Sequence, residues 1–311
     1  WQVPPLPTSY VDGPVGGRLH QFWQNWASIG ADPWVTGILR HGYRLPFDDV
    51  LPRLTASPPD TCYKSCHPLF QELLLQVDKL LSKNAIEEVL LPTPGFYSRL
   101  FLAPKKNGEW RPVIDLRQLN LLLHSPHFKM ETAQSILKVL DTDLWCTSLD
   151  LKDAFFHIPI RESHRRYLRF KIDDRHFQFK VLPFGLTTSP FVFTRVCKAV
   201  GAYAHSRGIR LIQYLDDWLL ASQSRSATNA QTAWLLEVSK ALGLKVNTEK
   251  SDLVPSQTFQ FVGIAFDMRE GKARPAPHRI ESWRLLAESF LADTTQPAYL
   301  WQQVLGHMMS L

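Results

Sequence analysis

The apolar and polar positions change period several times along the chain, and each change marks an element. Over 69–83, Leu69, Leu73, Val77, Leu80 and Leu81 recur at helical spacing with Glu72, Asp78 and Lys79 between them. That pattern predicts an amphipathic helix whose aliphatic stripe faces a core. The runs 98–104 and 110–120 flank Lys105-Lys106-Asn107-Gly108-Glu109. Asn-Gly is the strongest short hairpin signal, so Lys105, Lys106 and Arg111 are expected around one turn. Alternation in 167–172 and 176–181 around Asp173-Asp174-Arg175 predicts a second hairpin, with a basic outer face near Arg165, Arg166 and Arg169. Leu182-Pro183-Phe184-Gly185-Leu186 then leads to Ser189, an expected N-cap, and Pro190, an expected first helical residue. Further helices are expected over 228–242, closed by Gly243, and over 277–291 and 297–311, with a strand that runs into a polar turn over 244–251 and another strand over 259–266. Helices interleaved with hairpins make the fold class α+β, not a doubly wound parallel sheet.

Two stretches put acid at the ends of apolar runs. The strand-like 144–149 ends in Asp150 and continues Leu151-Lys152-Asp153-Ala154-Phe155-Phe156. Further on, Leu211-Ile212-Gln213-Tyr214-Leu215-Asp216-Asp217-Trp218-Leu219-Leu220 reads as a hairpin with carboxylates at its tip. A solvated turn explains that tip alone, because aspartate tolerates unusual backbone angles. Two acidic sites brought together in a partly dry place repel one another. The usual compensation is a pair of divalent cations roughly 3.5–4 Å apart that clamp a phosphoryl displacement. Three cations around a hairpin suit a triphosphate, whose charge needs neutralising and aligning.

Composition narrows the classes. In 311 residues, 45% apolar positions and 12% aromatics can bury a substantial core, which excludes a disordered chain. A net charge of +6 is compatible with a polyanionic partner. Four cysteines (Cys62, Cys66, Cys146 and Cys197) make no disulfide framework, so a reducing, intracellular setting, cytoplasmic or nuclear, is expected. Cys62, Cys66 and His67 lack a second ligand pair at finger-like spacing and read as loop residues. No apolar run reaches the roughly 18–20 residues of a bilayer span, so no membrane is expected. Without an initiator Met and ending inside a helical pattern, the chain is expected to be part of something longer.

Taken in order, Lys-Lys-x-Gly-x-Trp-Arg-Pro, Leu-Asp-x-x-Asp-Ala-Phe-Phe, Leu-Pro-Phe-Gly-Leu, Tyr-Leu-Asp-Asp, Leu-x-x-Asn-x-x-Lys and Phe-x-Gly resemble the polymerase core of reverse transcriptases. The Leu182–Leu186 motif is similar to retrotransposon enzymes, either DIRS-like or of the long-terminal-repeat type. The resemblance implies a right-hand fold: an irregular N-terminal extension over 1–66, fingers and palm over 67–267, and a thumb-like segment over 268–311 that precedes a connection or ribonuclease H region in longer relatives. It implies RNA-directed DNA synthesis from deoxynucleoside triphosphates on an RNA or DNA template with a primer, using two Mg2+ ions, with Mn2+ as a substitute. By the same resemblance Asp150, Asp216 and Asp217 are the metal-binding carboxylates, and the Leu151 carbonyl is a further ligand. Lys105, Lys106 and Arg111 meet the triphosphate above Asp153, Ala154 and Phe155, and Phe155 blocks a ribose hydroxyl. Phe184 and Gly185 flank the new base pair, Lys250 protonates departing pyrophosphate, and Tyr214, Phe261, Val262 and Gly263 hold the primer end. An RNA-synthesising polymerase is disfavoured by the aromatic at position 155. The alternative from another class is an inactive or host-adopted remnant that binds nucleic acid. Nothing in the sequence decides self-association.

Overall fold

Among the described residues four antiparallel sheets form, and the largest holds both acidic stretches. The computed structural model describes residues 3–5, 12–56, 63–89, 93–105, 108–128, 136–137, 139–292 and 297–310. After a 3₁₀ turn (Arg18–Phe22) come α1 (Trp23–Ser28), α2 (Pro33–His41), α3 (Phe70–Ser82), β1 (Ile86–Glu88), β2 (Leu100–Pro104), β3 (Trp110–Ile114) and α4 (Arg117–Asn120). Next are β4 (Trp145–Asp150), a 3₁₀ turn (Ala154–His157), α5 (Glu162–Arg165), β5 (Arg169–Ile172), β6 (Arg175–Phe179), α6 (Ser189–His205), β7 (Arg210–Tyr214) and β8 (Asp217–Ser222). The remainder is α7 (Arg225–Ala241), β9 (Asp252–Ser256), β10 (Thr258–Phe261), β11 (Ile264–Asp267), β12 (Lys272–Pro275), α8 (Pro277–Ala292) and α9 (Ala298–Ser310). Among the described residues no helix is long and apolar enough to cross a membrane.

The four-stranded sheet runs β7-β8-β4-β9, with α6 packed on β7 and α7 on β8, β4 and β9. Strand β8 is buried on both faces. Trp218 and Leu220 join the main core, while Leu219 and Ala221 join a smaller core with Phe261, Ile264 and Phe266. Successive strand residues point to opposite faces, so a continuous apolar run is what a doubly covered strand needs. A second hairpin, β2–β3, pairs Ala103 with Arg111 and Pro104 with Trp110; Lys106 and Asn107 between them lie outside the described residues.

Several local expectations change. The run 259–266 is two strands, not one: Val262 (φ 47°) and Gly263 (φ 73°) form a two-residue turn between β10 and β11. Positive φ at both central positions favours the twist of a hairpin, and the break is hidden because Val262 and Ala265 keep the run apolar through the turn. In 244–251 the expected turn forms over 248–250, but the strand before it is reduced to the bridge Leu151–Val246, and β9 forms just after. Pro255 is tolerated there because β9 is an edge strand. Ser189 is the first helical residue and not the cap, since its Oγ donates to the Pro183 carbonyl at 2.9 Å. Arg169 points inward, 5% exposed, with Nε donating to Gln178 Oε1 at 3.0 Å, so it is absent from the basic outer face.

The N-terminal residues share the main core. Leu19, Phe22, Trp26 and Leu39 are fully buried, and Trp26 Nε1 donates to the Leu242 carbonyl at 2.9 Å. Gly16 N–H donates to the Lys83 carbonyl, and Gly17 N–H to the Phe156 carbonyl, both at 2.8 Å. A Cβ on Gly16 would lie 2.2 Å from the Asn84 carbonyl oxygen, whereas one on Gly37 would meet nothing within 4 Å. Gly16→Ala should therefore cost about 1–3 kcal/mol by overpacking, while Gly37→Ala in α2 should stabilise by roughly 0.5–1 kcal/mol. Paired denaturant melts check the opposite signs.

Candidate active site

Register brings the acids together. Asp150 at the end of β4 sits directly opposite Asp217 at the start of β8, and Leu151 N–H donates to the Asp216 carbonyl at 2.9 Å. Since Tyr214 pairs with Asp217, the hairpin loop is only Leu215-Asp216. The unusual backbone angle falls on Leu215 (φ 51°) and not on an aspartate. A β-carbon in that region costs of order 1–2 kcal/mol, a strain that persists only where the surroundings hold it. Here Trp218 Nε1 donates to the Leu215 carbonyl at 3.1 Å, and Trp218 is fully buried.

The three carboxylates sense one another. Burial, reinforced by the charges of Asp216 and Asp150, pushes Asp217 up to about 6. Burial and then Asp216 raise Asp150, against the pull of Lys250 and an Asn247 hydrogen bond. Burial raises Asp216, opposed by Lys250 and Arg111. Desolvated acids with raised proton affinity are also acids that gain from a divalent cation. No group of three His, Cys, Asp or Glu side chains converges into a ready-made metal cage among the described residues. The donor chemistry nevertheless fits hard divalent ions: clustered carboxylates, plus the Leu151 carbonyl, which the Leu151–Val246 bridge leaves unused because that bridge bonds through Asp150 O and Lys152 N.

Two clefts meet at this cluster. The larger, about 730 Å³, is lined by Asp150, Leu151, Asp153, Ala154, Asp216, Phe184, Lys105, Arg111 and Lys250 among others. The smaller, about 200 Å³, is lined by Asp150, Asp217, Lys250, Asp252, Phe261, Val262 and Gly263. Asp150 and Lys250 line both, Asp216 only the larger, and Asp217 only the smaller. The carboxylates thus stand on the divide between two spaces, where groups held in each can meet.

Other expected residues fall differently. Phe155 is 9% exposed, its ring 5.2 Å from Phe184 and 5.7 Å from Phe193, so it backs the cleft wall without lining it. Arg111 lies over the Phe184 ring at 5.3 Å. Tyr214 lines a separate cavity between α6 and β7. Gly185 (φ 94°) sits where a Cβ would lie 2.9 Å from the Ile114 carbonyl oxygen, which explains the need for glycine.

Sequence reasoning missed the supporting residues. Asn120 Nδ2 donates to the Gly185 carbonyl at 2.8 Å, and its Oδ1 accepts from Thr187 N–H at 3.0 Å. Ser251 Oγ accepts from Asp150 N–H at 2.9 Å. His157 is fully buried and held neutral by burial, its value pushed down to about 4. Its Nε2 accepts from Lys245 N–H at 3.0 Å, which leaves Nδ1–H to donate to the Ala154 carbonyl at 3.0 Å. Two of these signals were visible, Asn120 and His157 being polar residues inside apolar runs, but apart from Ala154 their partners lie 65 to 88 positions away.

The profile described as Reverse transcriptase (RNA-dependent DNA polymerase) matches residues 103–266, more than half the chain. The chain belongs to the reverse transcriptase family. Among its relatives, the Gag-Pol polyprotein of Baboon endogenous virus is 28% identical over 276 residues, covering 85% of this chain and 15% of that polyprotein. The retrovirus-related Pol polyprotein from transposon 412 of Drosophila melanogaster is 29% identical, covering 60% of this chain and 15% of its own length. The Gag-Pro-Pol polyprotein of Squirrel monkey retrovirus is 28% identical, covering 63% and 11%. The chain therefore spans a small part of these relatives. The solved foamy viral protease-reverse transcriptase in complex with double-stranded DNA aligns over 99% of this chain and 54% of its own, with TM-score 0.63 and 17% identity. That likeness shows the α+β right-hand polymerase fold of the reverse transcriptase family.

The raised acids fix a sign. An aspartate whose folded value exceeds its unfolded one binds more protons when folded, so stability is lost as pH rises from the ordinary 3.8 through about 6. Without divalent cations, melting curves between pH 4 and 7 should show a steeper decline for wild type than for Asp217→Asn. The stabilisation from added Mg2+ should grow over the same range, because ligand deprotonation precedes binding.

Proposed function

We propose that this chain is an RNA-directed DNA polymerase that transfers a nucleotide from a deoxynucleoside triphosphate to a primer 3′-hydroxyl. The observation that carries the reading is the pair Asp150 and Lys250 lining both clefts, with Asp216 facing one and Asp217 the other. The larger cleft takes the triphosphate and the smaller takes the primer end. Asp150, Asp216, Asp217 and the Leu151 carbonyl would hold two divalent cations, Mg2+ or Mn2+. Such ions, when bound, activate the attacking hydroxyl and offset charge on the phosphates.

The chain's own groups do the rest. Arg111 and Lys105 line the larger cleft and neutralise the triphosphate, with Lys106 carried over from the family pattern. Asp153 and Ala154 form the floor beneath it. Lys250, in both spaces, is placed to hand a proton to the departing pyrophosphate. Phe184, packed under Arg111 and supported by Phe155 and the Asn120-held Gly185, gives the base pair a flat wall. Phe261, Val262 and Gly263 bring the β10–β11 turn to the primer end. Template and primer are gripped through their phosphates, since a polymerase must accept any sequence. A binding-only remnant is the weaker reading, because all three carboxylates and Lys250 are kept together.

Primer extension by the purified chain on RNA and DNA templates tests this. Asp150→Asn and Asp216→Asn should each lower the rate by orders of magnitude while the melting temperature holds; comparable extension by both variants would sink the reading. Arg111→Ala removes a charge-assisted contact of about 1.5–3 kcal/mol and should raise the KM for nucleotide roughly ten- to hundredfold. Because Phe155 stands behind Phe184, Phe155→Val should relax the wall and admit ribonucleotides more than it harms deoxynucleotides. Equal loss of both would make Phe155 a core residue only.

A further inference from the structure

We propose that Lys83 is a positioning residue of the nucleotide cleft whose ammonium masks the Asp153 carboxylate so that a triphosphate can lie beside it. This rests on the reading of the larger cleft as the triphosphate site. Lys83 Nζ donates to Asp153 Oδ1 at 2.7 Å, and the two side chains are 38% and 18% exposed. Both residues line the cleft that also holds Asp150, Asp216 and Arg111. The other oxygen of the carboxylate, Oδ2, is buried and has no hydrogen-bond partner among the described residues. Asp153 thus depends on one cation for compensation.

The base of Lys83 is fixed. It caps the C-terminal end of α3, and its carbonyl accepts from Gly16 N–H at 2.8 Å. The next residue, Asn84 (φ 56°), donates from Nδ2 to the Gly16 carbonyl at 3.1 Å and accepts from Lys180 Nζ at 2.7 Å. Asp153 is equally constrained. It sits at φ 51° immediately before the Ala154–His157 turn, and its carbonyl accepts from Phe156 N–H at 2.9 Å. Neither partner can retreat far without disturbing the cleft floor.

Charge then decides the role. The described lining of the cleft carries six Lys or Arg side chains and five Asp or Glu. One of those cations, Lys105, is already paired with Glu109 at 2.8 Å. Removing Lys83 cancels the surplus and leaves Asp153 uncompensated in a partly dry space that must accept a polyanion. Repulsion between that carboxylate and the phosphates falls on substrate binding rather than on the transfer step, because both the bound substrate and the transition state carry the charge.

The test uses the chain with a dideoxy-terminated template–primer. Binding of dATP in the presence of Mg2+ is measured by titration for wild type, Lys83→Met, Asp153→Asn and the double variant, with melting curves on each. Unblocked primer extension on the same preparations gives KM and kcat. Lys83→Met should weaken dATP binding about five- to tenfold and raise KM equally, with kcat changed less than about twofold. The double variant should recover to within about threefold of wild type, since the charge to be masked is gone. Unchanged affinity in Lys83→Met overturns the proposal. A double variant as weak as Lys83→Met also overturns it, showing that Lys83 meets the phosphates itself. A wild type that binds dATP with this pattern but does not extend a primer refutes the polymerase reading and leaves the mask intact. No dATP binding by wild type removes the triphosphate site and the proposal together.

Discussion

Everything at the site depends on one antiparallel register. Pairing Asp150 with Asp217 across β4 and β8 puts two like charges directly opposite, an arrangement that ordinarily destabilises a sheet. The third acid follows from the tightness of the hairpin, because a two-residue loop leaves Asp216 adjacent and its carbonyl bonded to Leu151 N–H. The strand cannot slip to relieve the repulsion. A one-residue shift would swap Trp218 and Leu220 with Leu219 and Ala221 between the two cores, and forcing side chains of the wrong size into packed space typically costs about 1–3 kcal/mol each. The apolar faces therefore hold the acids where electrostatics alone would part them.

Much of this was legible in the sequence because it rests on local signals. The apolar runs around Asp216-Asp217, the pairing of the runs on either side of Asn-Gly and the period of α3 each lie within a dozen residues, and the structure keeps them all. Part of what escaped depends on contacts distant in sequence. The turn at Val262-Gly263 shifts the inward positions from Phe259 and Phe261 to Ile264 and Phe266, a shift masked in the letters because Val262 and Ala265 are apolar as well. Arg169 has a basic residue's exposed look in a list of letters, yet Gln178 and the Thr93 carbonyl give its guanidinium partners inside. The positive φ of Leu215 had no signal at all: an apolar run points to an extended residue, and the angle is set within the two-residue turn itself, with Trp218 three residues on bonding the Leu215 carbonyl.

The supporting shell shows how a distant chain segment reaches the chemistry. His157 ties the Ala154 turn to Lys245, and the Lys245–Asn247 stretch bonds in turn to Asp150 and Lys152. The floor of the nucleotide cleft and the loop carrying Lys250 are thus joined through one neutral ring. Gly17 fastens the other side of the same turn at Phe156. Geometry at the acids is accordingly a property of several elements held in common, and no single strand owns it.

The N-terminal segment shows that a family's recognisable stretch and its physical unit need not coincide. The matched profile begins at residue 103, but Leu19, Phe22, Trp26 and Leu39 lie in the same core as Trp218 and Phe193. A chain trimmed to the recognisable stretch would leave those partners facing water, a loss comparable with the whole 5–15 kcal/mol that keeps a domain folded. For anyone choosing where to cut such genes for expression, the safe boundary is drawn by the aromatic residues that plug the wall, tens of positions before the first motif that a search would notice.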